Sequence, residues 1–320
     1  MSDTDMNEMP WASFCMSTYK RPGFLKTQIE SLLQQTFRNF EIVISDNDPD
    51  ASGKAIVETF NDLRVKYFPN GENLGMVKSF NKSIDRARSE FIVMVTDDDP
   101  VDPQFLSFVH GLVKQYPGHS LYAGFKRKGK REEEVELLNK NVFLREILDT
   151  GKTTKLLWSS CLLRKEALVK IGKLADYGGG HLVDHAMISM TGSINGGVVV
   201  NKMYSDVVLH ETNYTKSNLP VYPLSCIGFY NLVSTFCKEN NSFRENEVVI
   251  KKHLHKWFID CMFNLRRFYS AGNIKDQKRI KEVDSIAKQI MEFPFMKNII
   301  PKYKVKYFIF WIKMKLGMIK

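Results

Sequence analysis

Hydrophobic and polar positions in the first hundred residues follow two alternating periods. Short apolar, β-prone runs occupy residues 11–17, 40–45 and 91–95, with a weaker run at 65–68. Residues 22–35 and 76–88 carry apolar side chains at helical spacing instead. Strands that alternate with helices are typical of βαβ units, so the pattern predicts an α/β fold with a mostly parallel sheet flanked by helices.

The residues that follow the three strongest runs are polar. The first run leads into Thr-Tyr-Lys-Arg (18–21), the second into Asp-Asn-Asp (46–48), and the third into Thr-Asp-Asp-Asp (96–99). Ligands of open parallel sheets bind outside the carboxyl ends of the strands. We therefore expect these three segments to meet in one acidic, hydroxyl-rich crevice.

The acidic cluster at 97–99 has two interpretations. Three successive carboxylates repel one another, and a fold tolerates them when a cation or a ring of donors neutralises the charge. Hard oxygen ligands suit Mg²⁺ or Mn²⁺. The other interpretation is a solvated acidic turn before a helix that starts near residue 103, because Asp is common at helix starts.

The pattern changes along the rest of the chain. Residues 101–218 mix helical segments with short strands and Gly-rich turns and continue the same domain. From residue 220 onward the apolar spacing is almost wholly helical, amid many lysines and arginines. The sequence thus predicts one domain over residues 1–219 and a helical C-terminal region over residues 220–320.

Composition narrows the class of protein. A hydrophobic fraction of 43% and a charged fraction of 26% are those of a globular protein, which excludes a disordered chain. The five cysteines are widely spaced and form no CxxC pair, which disfavours a disulfide framework and a zinc site and favours a reducing compartment. The polar N-terminal residues 1–10 do not resemble a secretory signal.

The net charge of +10 is concentrated at the C-terminus. Residues 302–320 place lysines among Trp, Phe and Ile without an acidic residue. The apolar run within this segment is too short to span a bilayer, but the segment suits a helix that lies on an anionic membrane surface. The alternative is a terminal helix packed on the body with its lysines outward. Nucleic acid is a less favoured partner because no known binding module accompanies the charge.

Five short segments, in order, carry a resemblance to a known family. They are Ser-Thr-Tyr-Lys-Arg (17–21), Ser-Leu-Leu-Gln-Gln-Thr (31–36), Glu-Ile-Val-Ile-Ser-Asp-Asn (41–47), Asn-Leu-Gly (73–75) and Thr-Asp-Asp-Asp (96–99). Their order and spacing resemble family-2 glycosyltransferases. The resemblance implies a GT-A fold in which residues 1–100 hold a nucleotide-sugar and residues 101–219 hold the acceptor.

The resemblance also implies roles for particular residues. Asp46 would accept a hydrogen bond from the base, Asp97 would hold the ribose, and Asp98 would be the chief ligand of Mn²⁺ or Mg²⁺. Further contacts implied for the nucleotide-sugar and the metal fall on Thr18, Tyr19, Arg21, Asn73 and Asp99. The usual family pattern begins the acidic motif with Asp, where this chain has Thr96.

Two residues of the second half complete the implied site. Asp184 matches the position where the family places the base that deprotonates the acceptor, although the N-cap of a helix is an alternative role. The family pattern more often has Glu before this Asp, where this chain has Val183. His210 matches a histidine that completes the metal site in many GT-A enzymes, and the alternative is an ordinary satisfied polar residue.

The implied function is an inverting, metal-dependent glycosyltransferase that moves a sugar, most readily from a UDP-sugar, to a glycan or lipid-linked acceptor in cell-surface polysaccharide synthesis. Such an enzyme would be cytoplasmic and peripheral on the inner face of the membrane. An oxidoreductase is disfavoured because residues 17–23 contain no GxGxxG. A non-catalytic carbohydrate-binding or scaffolding protein on the same fold is the alternative.

Overall fold

The computed structural model describes residues 9–208, 218–270 and 276–315. These residues form two compact units. The first unit contains residues 9–147, 151–176 and 183–208, and the second contains residues 148–150, 177–182 and the described residues from 218 onward. The division into a domain of residues 1–219 and a region of residues 220–320 stays a prediction.

The strands lie in the first unit. They are β1 (Ala12–Thr18), β2 (Phe40–Asp46), β3 (Val65–Pro69), β4 (Phe91–Val95), β5 (Leu121–Gly124), β6 (Lys126–Arg127), β7 (Val135–Leu138), β8 (Thr153–Lys155), β9 (Cys161–Arg164) and β10 (Gly197–Val200). Eight of the described strands form one sheet in the order β3-β2-β1-β4-β9-β5-β10-β7, while β6 pairs with β8. The four strands predicted from the sequence are β1 to β4, so these predictions are confirmed.

Helices accompany the strands of the first unit. They are α1 (Pro22–Leu33), α2 (Lys54–Glu58), α3 (Met76–Arg86), α4 (Phe105–Gln115), α5 (Lys140–Leu148), α6 (Lys165–Lys170) and α7 (Val183–Asn195). The helix α3 shows why these segments are helical. Val77, Phe80 and Ile84 recur at helical spacing and are buried, whereas Lys78 and Lys82 face outward.

The sheet is mostly parallel. The strands β3, β2, β1 and β4 run parallel to one another, and β5 runs parallel to β10. The strand β9 runs antiparallel to both β4 and β5, and β7 runs antiparallel to β10. Strands that are covered on both faces consist of continuous apolar runs, and β4 is buried along its whole length.

The second unit is helical. Its helices are α8 (Tyr222–Glu239), α9 (Phe243–Ser270), α10 (Gln277–Glu292) and α11 (Ile300–Lys315). A fully buried Arg266 on α9 pairs with Asp284 on α10 at 2.6 Å, and its guanidinium lies 4.8 Å from the ring centre of Tyr307 on α11. The predicted helical C-terminal region is confirmed for the described residues. Within the same ranges, no helix is both long enough and apolar enough to cross a membrane.

His181 makes the stability of the protein depend on pH. Its ring is buried 4.0 Å from the ring of Tyr222, and burial lowers its pKa from 6.5 to about 4. Between these pH values the ring of His181 binds a proton in the unfolded chain but not in the folded one, so its contribution to stability falls as the pH falls. The loss amounts to up to about 3 kcal/mol.

We expect His181→Phe, which keeps an aromatic ring beside Tyr222, to remove most of this pH dependence. The free energy of unfolding is measured by denaturant titration at about pH 7 and about pH 4.5, and its change on acidification should be less favourable to the folded state in the unmodified protein than in the variant. Equal losses in the two proteins would show that His181 is not the group responsible.

Candidate active site

The polar residues after β1 and β4 meet at one edge of the sheet. Met16 lies opposite Val95 in the parallel pair, which brings the residues two positions further along each strand together. The hydroxyl of Thr18 donates a hydrogen bond to Asp97 Oδ2 at 2.9 Å, and both side chains are buried. The order of strands reverses between β1 and β4, and ligands of doubly wound sheets bind at such a point.

Arg21 holds two of the acidic side chains at once. Its Nη1 lies 2.7 Å from Asp97 Oδ1, and its Nη2 lies 2.7 Å from Asp98 Oδ2. The guanidinium also stacks on the ring of Phe24, with 4.3 Å between its carbon and the ring centre. The sequence predicted that Arg21 contacts the nucleotide-sugar but not that it bridges two carboxylates, because residues far apart in sequence form this contact.

The acidic cluster carries more negative charge than Arg21 balances. The pKa of Asp97 is raised to about 6, mainly by burial and also by the charge of Asp98, against the opposing effects of Arg21 and Thr18. The pKa of Asp99 is also raised, first by burial and then by Asp98. Buried carboxylates with raised pKa values are typical of functional sites, where a cationic ligand completes the neutralisation.

Asp99 holds the surrounding backbone in place. Its Oδ1 accepts a hydrogen bond from the backbone N–H of Val208 at 3.2 Å. Its backbone carbonyl accepts one from the side chain of Gln28 on α1 at 2.8 Å. These contacts fix the turn that presents Asp97 and Asp98, and Gln28 is a residue whose part the sequence did not indicate.

Asp46 ends β2 in a buried polar pocket. Its Oδ2 accepts a hydrogen bond from the Tyr67 hydroxyl at 2.6 Å and from Gly53 N at 3.3 Å, and its Oδ1 accepts one from Asp48 N at 2.8 Å. A Cβ on residue 53 would lie 2.9 Å from Asp46 Oδ2, so only glycine allows this close approach. Tyr67 lies on β3, whose apolar signal in the sequence is weak, and it was not predicted to contact Asp46.

The loop before α3 closes over the end of β2. Asn47 donates from Nδ2 to the carbonyl of Gly75 at 3.1 Å and accepts from the side chain of Asn70 at 3.0 Å. Asn73 is exposed, and its Oδ1 accepts a hydrogen bond from the N–H of Gly75 at 3.0 Å. Tyr19 is 42% exposed beside the crevice residue Thr18 and is accessible to a ligand.

Asp184 lies in the first unit, in the first turn of α7. The helix begins at Val183, so Asp184 is a helical residue and not the N-cap. Its charge raises the pKa of the buried Cys161 thiol in addition to the effect of burial, which places the carboxylate near the start of β9. Because β9 is antiparallel to β4, with Leu163 opposite Ile92, its first residues lie by the carboxyl end of β4. Asp184 therefore lies towards this edge of the sheet, and its part in the site stays a prediction.

Two other candidate residues have different outcomes. His210 lies outside the described residues, so its part in the site stays a prediction. Trp158, whose indole is of the kind that can stack on a sugar, is buried, with its ring centre 4.8 Å from that of Phe80. Among the described residues, no group of three or more His, Cys, Asp or Glu side chains is arranged to hold a metal ion.

Comparison with known families identifies the chain. The family model described as glycosyl transferase family 2 matches residues 13–172, which is half of the chain and includes Thr18, Asp46 and the whole acidic cluster. The chain belongs to glycosyl transferase family 2. The resemblance of the five short segments is thereby confirmed.

One relative is described as the GalNAc(5)-diNAcBac-PP-undecaprenol beta-1,3-glucosyltransferase of Campylobacter jejuni. It is 33% identical over 94 residues, which are 28% of this chain and 30% of that protein. The match spans about a third of the length of the first curated relatives. Because the matches cover only this part of each relative, the substrates of this chain are left to be proposed.

Two solved structures share the whole fold. S. aureus TarS 1-349 in complex with UDP has a TM-score of 0.53 and 15% identity, and the match covers 93% of this chain and 92% of that one. The mannosyltransferase PcManGT from Pyrobaculum calidifontis, in complex with GDP-Man and Mn²⁺, has a TM-score of 0.55 and 13% identity, with 94% and 87% covered. Together with the mostly parallel sheet, these matches confirm the predicted GT-A fold.

Proposed function

We propose that this family-2 member is an inverting glycosyltransferase that uses a nucleotide-sugar donor and a divalent cation. The main support for the proposal is a set of contacts between the ends of β1 and β4. Thr18 and Arg21, at the end of β1, bind the carboxylate of Asp97, and Arg21 also binds that of Asp98. A diphosphate with its cation needs both signs of charge in one crevice, and this edge of the sheet supplies them.

The donor is a nucleotide-sugar, with UDP-sugars the first choice. The Asp46 carboxylate at the end of β2, which the Tyr67 hydroxyl holds in place, would accept a hydrogen bond from the base. Thr18, Tyr19 and Asn73 would supply further contacts to the nucleotide-sugar. The TarS structure contains UDP, and that of PcManGT contains GDP-Man, so members of this fold accept more than one base.

The acidic cluster fits a divalent cation. The buried Asp97 and the partly buried Asp98 share one guanidinium, and the charge of Asp98 helps to raise the pKa of Asp97. Carboxylate oxygens are the donors that Mg²⁺ and Mn²⁺ prefer. Asp98 would be the chief ligand, with Asp99 and His210 as further ligands. When bound, such a cation would stabilise negative charge on the departing diphosphate.

Asp184 is proposed as the general base. The acceptor oxygen attacks the anomeric carbon while the bond from that carbon to the diphosphate oxygen breaks, and the diphosphate leaves with the electron pair. The carboxylate of Asp184 takes the proton of the attacking hydroxyl. Asp184 suits this role because its side chain is partly exposed and lies in the first turn of α7.

The acceptor is proposed to be a glycan on a lipid carrier in cell-surface polysaccharide synthesis. The name of the Campylobacter jejuni relative specifies a diphospho-undecaprenol acceptor. An acceptor of that kind would lie in a membrane, and the lysine-rich helix α11 would hold the enzyme on the anionic inner face of that membrane. A cytoplasmic, peripheral location follows from this proposal.

A thermal-shift screen tests donor binding. The melting temperature is measured with a panel of nucleotide-sugars, with and without Mn²⁺, because a ligand that binds only the native state raises it. We expect one UDP-sugar to stabilise the protein by about 3 kcal/mol at a hundredfold excess over its dissociation constant, and only when Mn²⁺ is present. A panel without any stabilising donor would instead favour a non-catalytic carbohydrate-binding protein.

A further inference from the structure

The second unit contains a basic cavity that the reaction described above does not use. Its volume is about 550 Å³, and its charged walls are four lysines and one aspartate. Lys252 and Lys256 extend from α9, and Lys302 and Lys306 extend from α11. Lys256 pairs with Asp260, so that cation is already balanced.

The other three lysines make the cavity an anion site. In the part of the chain that the structure describes, Lys252, Lys302 and Lys306 form no ion pair. His255, which also lines the cavity, donates from Nε2 to the carbonyl of Phe295 at 3.0 Å. Burial lowers the pKa of His255, and the charges of Lys251 and Lys302 lower it further. A phosphate group would relieve this concentration of positive charge.

The helix α11 also presents an apolar stripe to solvent. Val305, Phe308, Ile309 and Ile312 recur at helical spacing and are 60%, 66%, 45% and 42% exposed. Tyr303 and Phe310, on another face of the same helix, are 5% exposed and pack against the ring of Phe263 on α9. The exposed stripe is therefore a second apolar face, and not the one that holds the helix in the unit.

The stripe and the cavity lie side by side on α11. On a helical projection, Lys302 and Lys306 lie directly beside Val305 and Ile309. We propose that α11 lies in a membrane surface, with the stripe among the acyl chains and the cavity around the phosphate headgroup of an anionic lipid. A soluble phosphate compound would make no use of the apolar stripe, which favours the lipid. The inference rests on the proposed lipid-linked acceptor and specifies how the enzyme reaches it.

Flotation of the full-length protein with vesicles tests this proposal without any donor or acceptor. The vesicles contain phosphatidylcholine alone or with about a third phosphatidylglycerol, which adds the surface charge that attracts lysines. We expect binding only to the anionic vesicles. The variant Lys252→Gln with Lys302→Gln, which removes one lysine from each wall, should bind about 30-fold more weakly.

Two matched controls separate the cavity and the stripe from general effects. Lys281→Gln with Lys288→Gln removes the same charge from exposed positions on α10 and should change binding by less than about threefold. The double variant Phe308→Ala with Ile312→Ala should weaken vesicle binding at least about tenfold. Its control, Leu224→Ala with Val248→Ala, changes exposed apolar positions on α8 and α9 and should leave vesicle binding unchanged.

Three results would overturn the proposal. One is equal weakening by the cavity and control lysine variants, and the second is equal binding to neutral and anionic vesicles. The third is a protein that inorganic phosphate stabilises, unless Lys252 and Lys302 are replaced, but that does not bind vesicles. The ligand of the cavity would then be a soluble phosphate compound. Donor binding is measured separately, in the thermal-shift screen. A protein that binds a donor but no vesicles would refute the membrane inference and leave the proposed function intact.

Discussion

Replacing Asp184 by asparagine is expected to lower the rate of sugar transfer about 10³-fold, within the range that a general base contributes. The amide cannot take the proton of the attacking hydroxyl, yet it keeps the size of the side chain in the first turn of α7. The change in kcat is measured with a saturating donor. The donor dissociation constant, measured by calorimetry, should stay within about twofold, because a base acts on the acceptor.

Glu166→Gln is the matched control for Asp184→Asn. Glu166 is an exposed acid in the first turn of α6, in the same unit, so its replacement removes a comparable interaction with a helix dipole. We expect that control to retain full transfer activity. If Asp184→Asn also retained activity, another residue would have to be the base.

Replacing Asp98 by alanine is expected to remove the Mn²⁺-dependent part of donor binding and to lower kcat by at least about 10²-fold, the effect of losing one preorganised group at a developing charge. The fold should persist, because Arg21 keeps its contact with Asp97, and the repulsion between Asp97 and Asp98 disappears. The check is calorimetric titration of UDP with and without Mn²⁺, alongside circular dichroism.

Asp102→Asn supplies the comparison for Asp98→Ala. Asp102 is a nearby carboxylate whose Oδ1 caps the N–H of Gln104 at 2.8 Å. That variant should bind UDP with an unchanged response to Mn²⁺. A response to Mn²⁺ that survives in Asp98→Ala would contradict the assignment of Asp98 as the chief metal ligand.

The sequence predicted the sheet and the site most reliably where local signals were strong. The runs that became β1, β2 and β4 are continuous and apolar, and the polar residues at their ends identify the crevice without any knowledge of pairing. The sequence did not predict that β9 lies between β4 and β5 in the sheet. Packing between segments that are distant in sequence decides where this antiparallel strand is placed.

The contacts within the site were less predictable than its members. Arg21 reaches Asp97 and Asp98 across more than seventy positions of sequence, and Tyr67 reaches Asp46 from a strand with a weak apolar signal. No periodicity records such pairings. The position of Asp184 within α7, and not at its N-cap, likewise depended on where the helix begins.

Product analysis is the most direct test of the central claim that this edge of the sheet transfers sugar. The purified protein is incubated with Mn²⁺, the donor identified by thermal shift and a diphospho-polyprenol-linked sugar, and the product is examined by mass spectrometry and by nuclear magnetic resonance. We predict an acceptor extended by one sugar whose anomeric configuration is opposite to that of the donor. Retention of the donor configuration, or release of free sugar without any extended acceptor, would contradict the account.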